Sequence, residues 1–150
     1  MAAASTESGL PYNNVTALMQ DVNGTEWAGT GLYDGGGAAR LQPEESSWSL
    51  AWVTTEKDGL AGEEVRPIFH DRQRVIWFGS EYDGLARWDG ADWRVFTEAD
   101  GLAAAEVNTM VQDADGNLWL GTVDGVTRIS AEALDDTRGE PIRLYSSWLG

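Results

Sequence analysis

Residues Gly101–Thr122 read GLAAAEVNTMVQDADGNLWLGT, and the chain contains this stretch three times in altered form. The earlier copies are GLPYNNVTALMQDVNGTEWAGT at Gly9–Thr30 and GLAGEEVRPIFHDRQRVIWFGS at Gly59–Ser80. Asp21, Asp71 and Asp113 each fall 11 residues after the Leu of a Gly-Leu pair. Trp27, Trp77 and Trp119 follow six residues later, and Gly29, Gly79 and Gly121 two beyond those. A second signature trails each copy: Gly37-x-x-Arg40-Leu41, Gly84-x-x-Arg87-Trp88 and Gly125-x-x-Arg128-Ile129. Identical spacing in three places marks an internal repeat, and a repeat is read before any single element.

Each copy divides into four short strands. The second is the most compact, with expected strands at 65–69, 75–79, 84–88 and 93–97. The first copy is expected to have strands at 15–20, 26–30, from 37, and 47–55; the third at 107–112, 117–121, 125–129 and 142–146. Asn23-Gly24 and its counterparts turn the first strand into the second, since Asn-Gly accepts the positive φ of a tight hairpin. Residues 130–136 suggest one helical turn capped by Ser130. The repeats begin 50 and 42 residues apart. Four antiparallel strands at a period of about 40–50 residues indicate a β-propeller blade. The expected class is therefore all-β, with three four-stranded antiparallel sheets forming a partial, open propeller. The blades are expected at residues 9–58, 59–100 and 101–150, after a loose segment at 1–8.

Apolar residues on both sides of each first strand fit a sheet packed on both faces. Val15, Val65 and Val107 are expected to point the same way as Met19, Phe69 and Val111. Leu18, Ile68 and Met110 are expected to point the other way. Pro67 inside a strand implies a sheet edge, here the one lining a central channel. Trp27, Trp77 and Trp119 are read as filler between blades; exposed, they would instead be platforms for a ligand. Asp21, Asp71, Asp113, Gly29, Gly79 and Gly121 complete the structural motif. The repeated Arg at 40, 87 and 128 is read as a blade-to-blade ion-pair or stem-packing residue, not a catalytic one.

Composition limits the partners. The chain has 150 residues, 42% of them hydrophobic, with eight Trp, eighteen Gly and no Cys. That excludes disulfides and thiolate metal sites. A formal charge of −15 opposes nucleic acid and anionic membranes and leaves cations, neutral sugars or simple solubility as its meaning. No apolar run is long enough to span a bilayer, and the first residues have neither the basic nor the apolar part of a signal peptide. Either a cytoplasmic chain or a piece of a longer one fits that start.

With the residues in view, a resemblance follows. Gly9-Leu10-Pro11-Tyr12-Asn13-Asn14-Val15 and Asp113-Ala114-Asp115-Gly116-Asn117-Leu118-Trp119-Leu120-Gly121-Thr122 resemble the two-component regulator propeller repeat. The likeness runs from about Gly9 to Gly150. It departs at Arg74, which stands where the turn Gly belongs, and at Ala61 and Ala103, which replace Pro11. The resemblance implies the sensor part of a hybrid histidine kinase or related regulator, placed outside the inner membrane and binding a small molecule, often a saccharide. Propellers usually close with four to eight blades. Three blades therefore imply further blades in a longer chain, the favoured reading, or self-association in which two chains supply six.

The loops before each first strand and between the second and third strands should share the binding face. They place Asn13, Asn14 and Thr16; Glu63, Glu64 and Arg66; and Ala105, Glu106 and Asn108 together. Tyr33, Asp34, Glu81, Tyr82, Asp83 and Asp124 make the second set. Polar groups beside Tyr suit a sugar, although solvated loops also look like this. His70, the only His, falls at the opposite strand end and reads as structural. Asp113-x-Asp115-Gly116-Asn117 has the wrong Gly spacing for a calcium loop and reads as a hairpin turn. No cofactor or metal is expected. Besides a ligand-binding sensor, the alternatives are a lyase of the streptogramin lyase type, using Glu63, Glu64 or Glu106 as base, and a protein-docking module.

Overall fold

The computed structural model describes residues 3–33, 35–45 and 48–134, with the backbone of 145 and 146. Three four-stranded antiparallel sheets follow one another along the chain. The first is β1 (Val15–Gln20), β2 (Glu26–Gly31), β3 (Gly36–Pro43) and β4 (Trp48–Thr54). The second is β5 (Val65–His70), β6 (Ile76–Ser80), β7 (Leu85–Trp88) and β8 (Trp93–Phe96). The third is β9 (Val107–Gln112), β10 (Leu118–Thr122), β11 (Gly125–Ile129) and β12 (Tyr145–Ser146). Strands pair in sequence order within each sheet, as in a meander, so each sheet is a blade. Boundaries differ from those expected by a residue or two. Residues 142–144 of the last expected strand and Ser47 lie outside the described residues. Among the described residues, no helix is long and apolar enough to cross a membrane.

The repeated Asp closes each hairpin through its side chain. Asp71 Oδ1 accepts the Val75 N–H at 2.9 Å, and Oδ2 accepts the Trp77 indole N–H at 2.7 Å. Asp21 and Asp113 hold Trp27 and Trp119 in the same way at 3.1 and 2.7 Å. The spacing of six thus has a cause: it sets a carboxylate under the indole nitrogen, so a buried Trp keeps a hydrogen-bond partner. The turn residue after the Asp needs positive φ. Gly24 and Gly116 supply it at 80° and 88°, while Arg74 adopts 66° against its preference.

Neighbouring blades pack face to face. Trp27 joins Val65, Ile68, Ile76 and Phe78 in one cluster between the first and second blades. Trp77 joins Val107, Leu118, Leu120 and Ile129 in another between the second and third. Trp52 stacks on Trp88 at 5.1 Å, and Trp27 meets Trp52 edge-on at 5.6 Å, so β2, β4 and β7 each bring a Trp to the first interface. Glycine makes the close approach possible. A Cβ on Gly29 would lie 2.8 Å from Val65 Cγ1, and one on Gly79 3.0 Å from Val107 Cβ.

Four expectations need correction. Val65 does not point the same way as Phe69: it shares the first-interface cluster with Ile68, and Phe69 packs on the other cluster. A register shift between Val65 and Ile68 is the reason, and Val15–Ala17 and the start of β9 have its equivalent. A bulge changes the side to which later residues point. Pro67 lies within that shift on an edge strand, where its missing N–H costs nothing. Trp119 does not fill an interface among the described residues: it is half-buried, because no described residue of another blade packs over its side of the third blade. Segment 1–8 is not loose throughout. Thr6–Ser8 forms a 3-10 turn, the Ser5 N–H donates to Ser8 Oγ at 2.8 Å, and Ala4 packs on the first blade. Lastly, Arg87 pairs with Asp89 of its own blade, not with a neighbouring blade. Arg128 packs over the Trp119 ring at 5.9 Å and donates to Asn117 Oδ1 at 2.8 Å.

The same turn recurs before each Gly-Leu pair, at Glu56–Asp58 and Glu98–Asp100. In these the Thr55 and Thr97 N–H groups donate to Asp58 and Asp100 at 2.8 and 2.9 Å. The third loop does hold a helical turn, Ala131–Leu134, with Ser130 Oγ accepting the Ala133 N–H at 3.2 Å.

Candidate functional site

The loops at one end of the first two blades enclose a cleft of about 210 Å³ lined by Tyr33, Glu56, Glu63, Glu64, Tyr82 and Asp83. Each side chain arrives there for a local reason. Tyr33 follows β2 in a tight turn where the Leu32 N–H bonds Gly35 O at 3.0 Å, and its φ of 59° swings the ring outward. Glu63 and Glu64 precede β5. The Glu81 N–H bonds Glu64 O at 3.1 Å and ties the two loops of the second blade together. A Cβ on Gly31 would lie 2.6 Å from Glu64 Cα, so the bare backbone of the first blade brings the loops into contact. Asp83 is set by Ser80: its N–H donates to Ser80 Oγ at 3.2 Å, as does that of Tyr82 at 3.3 Å. Both Tyr rings are exposed, and Glu64 is buried.

Electrostatics organise the back of the cleft. Arg66 Nε donates to Glu81 Oε2 at 3.0 Å, and the two form an ion pair. That guanidinium, with Glu64 next, holds the Glu81 carboxyl down to about 2. The Tyr82 hydroxyl donates to Glu81 Oε1 at 3.1 Å, and that hydrogen bond, with the carboxylate's negative charge next, raises the phenol above its ordinary value. Glu106 of the third blade lies close enough to add to the upward shifts of Arg66 and Tyr82. The cleft therefore offers carboxylate oxygens as acceptors, with two phenol rings at its rim. Among the described residues, no group of His, Asp and Glu is arranged to hold a metal ion.

Of the residues singled out from the sequence, Tyr33, Glu63, Glu64, Tyr82 and Asp83 meet in this cleft, with Arg66 and Glu81 behind it and Glu106 near them. The others do not join it. Asn13 Oδ1 accepts the Thr6 N–H at 2.8 Å, and Asn14 Nδ2 donates to Gly31 O at 2.9 Å. The Thr16 hydroxyl donates to Val65 O across the blade interface. Asn108 and Asp124 are exposed on the third blade. Asp34 lies outside the described residues. Glu56 was missed. Its signal is the Thr-Glu-Lys-Asp-Gly-Leu run at 55–60, which parallels Thr97–Leu102. His70 is structural: its Nδ1 accepts the Val22 N–H of the first blade at 3.2 Å. Asp113 is occupied within its own turn, by Asn117 and Trp119.

The two-component regulator propeller family matches residues 9–31 and 101–124. No curated protein matches the sequence. Among solved structures, the chain is similar to the extracellular domain of what is described as a hybrid two-component system of B. thetaiotaomicron. The two are 22% identical with a TM-score of 0.75, over 97% of this chain and 18% of that one. A second extracellular domain of that organism, described as from a one-component system, is 20% identical with a TM-score of 0.73, over 98% of this chain and 20% of that one. A streptogramin B lyase shares the fold at 12% identity and a TM-score of 0.62, over 94% of this chain and 42% of that one. The chain thus spans about a fifth of the first two structures. Two of its blades match the two-component regulator propeller repeat in sequence, and all three stack as blades do in these larger folds.

Proposed function

We propose that these blades are a ligand-binding part of a signal-transduction regulator's sensor propeller, and that the cleft at Tyr33, Glu63, Glu64, Tyr82 and Asp83 takes a small polyhydroxylated molecule, a saccharide in the first instance. The observation that carries this is the meeting of two exposed phenol rings and several carboxylates at the mouth between two blades. Carboxylates accept hydrogen bonds from sugar hydroxyls, and a Tyr ring covers the apolar face of a pyranose. The negative charge of the cleft disfavours anionic sugars. The kinship with extracellular domains of bacterial regulators supports a periplasmic or extracellular setting.

A glycan screen followed by calorimetry tests this. A neutral saccharide should bind, and Tyr82→Ala should weaken it by about tenfold or more, the equivalent of about 1.4 kcal/mol. Loss of no affinity in Tyr82→Ala, or no glycan binding at all, would overturn the reading. Binding to a protein partner alone would favour a docking module. The fold shared with streptogramin B lyase supports a second reading, in which Glu106 or a neighbouring carboxylate acts as general base. Turnover of a streptogramin that is lost in Glu106→Gln would support it.

A further inference from the structure

The two outer faces of the blade stack are the two halves of an interface that this protein already builds twice. At the first internal interface, Val65 and Ile68 of β5 sit against Gly29 of the preceding blade. At the second, Val107 sits against Gly79. The series leaves one member at each end. Val15, the counterpart of Val65 and Val107, is 42% exposed where they are 2% and 0%. Leu18, the counterpart of Ile68, is 74% exposed where Ile68 is 8%. At the other end the three described atoms nearest a Cβ on Gly121, the counterpart of Gly29 and Gly79, all belong to Thr109 of its own blade. Beside it, Val111 is 59% exposed, whereas its counterparts Met19 and Phe69 pack into the two internal clusters.

Polar contacts follow the same series. The Val22 N–H donates to His70 Nδ1 of the next blade, and the Arg72 N–H donates to Gln112 Oε1 of the next. The third pair in the series is the Ala114 N–H of the last blade and the side chain of Gln20 on the first. The Gly84 N–H donates to Ala105 O of the next blade at 2.9 Å, and its counterparts at the ends are Gly125 and Asn13.

We infer that a second copy of this chain docks head to tail, with the Gly121–Val111–Trp119 face of one copy on the Val15–Leu18–Val53 face of the other. The contact is continuous with the internal interfaces: the same residue types meet at the same register. It is heterologous, using a different surface from each copy, and two copies supply six blades, within the range at which propellers close. Exposed apolar patches of this kind drive association.

Sedimentation equilibrium of the 150-residue chain should give twice its 16.3 kDa mass. Leu18→Asp and Val111→Asp should each yield monomers with unchanged circular dichroism, since both side chains are exposed. Mixed together, the two variants should dimerise again, because one retains an intact tail face and the other an intact head face. Val53→Asp and Val126→Asp, one on each face, repeat the test at independent positions. A wild-type chain that stays monomeric overturns the inference. So does a dimer that neither substitution weakens, or one that only one of them weakens, which would mean a face paired with its own kind.

Discussion

Single residues decide how well each blade's hairpin holds. Arg74 occupies a left-handed turn position that the other two copies give to Gly. Arg74→Gly should raise stability by about 0.5–1 kcal/mol in a chemical melt, the left-handed strain relieved outweighing the extra freedom of the unfolded Gly. The Asp113 carboxyl is held down to about 2, first by the Trp119 indole N–H and then by the Asn117 amide. Its folded value lies below its ordinary 3.8, so its stabilising share is complete above about pH 4 and is lost as the pH falls toward 2. A pH melt followed by Trp fluorescence should fall off in that window, and Asp113→Asn should flatten the loss. His70 makes a different point. Gln112 fills the equivalent slot and accepts the same kind of backbone N–H. His70→Gln should therefore be neutral in stability, while His70→Leu should cost about 1 kcal/mol by stranding the Val22 N–H.

At the scale of the element, the Asp–Trp pair ties a hairpin to a blade interface. Asp71 is buried and serves both the Val75 N–H and the Trp77 indole. Asp71→Ala should cost about 2–4 kcal/mol, measured by urea melts, since two buried donors lose their acceptor. Trp77→Ala, inside an interface, should cost about 3–5 kcal/mol. Trp119→Ala, on a half-covered face, should cost the monomer clearly less. Much of this was legible in the spacing of Gly-Leu, Asp, Trp and Gly, because a fixed interval in three copies needs a common fold. The bulge at Val65–Ile68 was not. Alternation in VRPIFH reads the same with or without an extra residue, and only Pro67 hints at it. The turns at Thr55–Leu60 and Thr97–Leu102 were also passed over, since a three-residue turn shows no periodicity. At the cleft, the loops could be named in advance. Which of them meet depended on how far one blade is rotated against the next, and Gly31 against Glu64 settles that only in three dimensions.

At the scale of the whole molecule, charge and shape oppose each other. The chain carries −15 at neutral pH, and cations such as Arg66 and Arg87 are already paired with Glu81 and Asp89. Carboxylates crowd the loop ends, where Glu56, Glu63, Glu64 and Asp83 line one cleft. Folding brings these like charges together, and docking of two copies would bring two such surfaces together. Both steps work against a Coulomb term that salt weakens, since the screening length falls from about 30 Å at 0.01 M to about 8 Å at 0.15 M. The apolar contacts at Gly29–Val65 and Gly79–Val107 are not weakened by screening. Raising sodium chloride across that range should therefore raise the melting temperature, by about 2–4 °C for each kcal/mol of repulsion relieved. Dimer formation should strengthen over the same range, because each copy approaches a partner of its own sign. Calorimetry and sedimentation at matched salt concentrations read the two effects separately. A melting temperature that falls with salt would show that ion pairs such as Arg66–Glu81 outweigh the net repulsion; association that falls with salt would show the docked faces joined by charge and not by Val15, Leu18 and Val111.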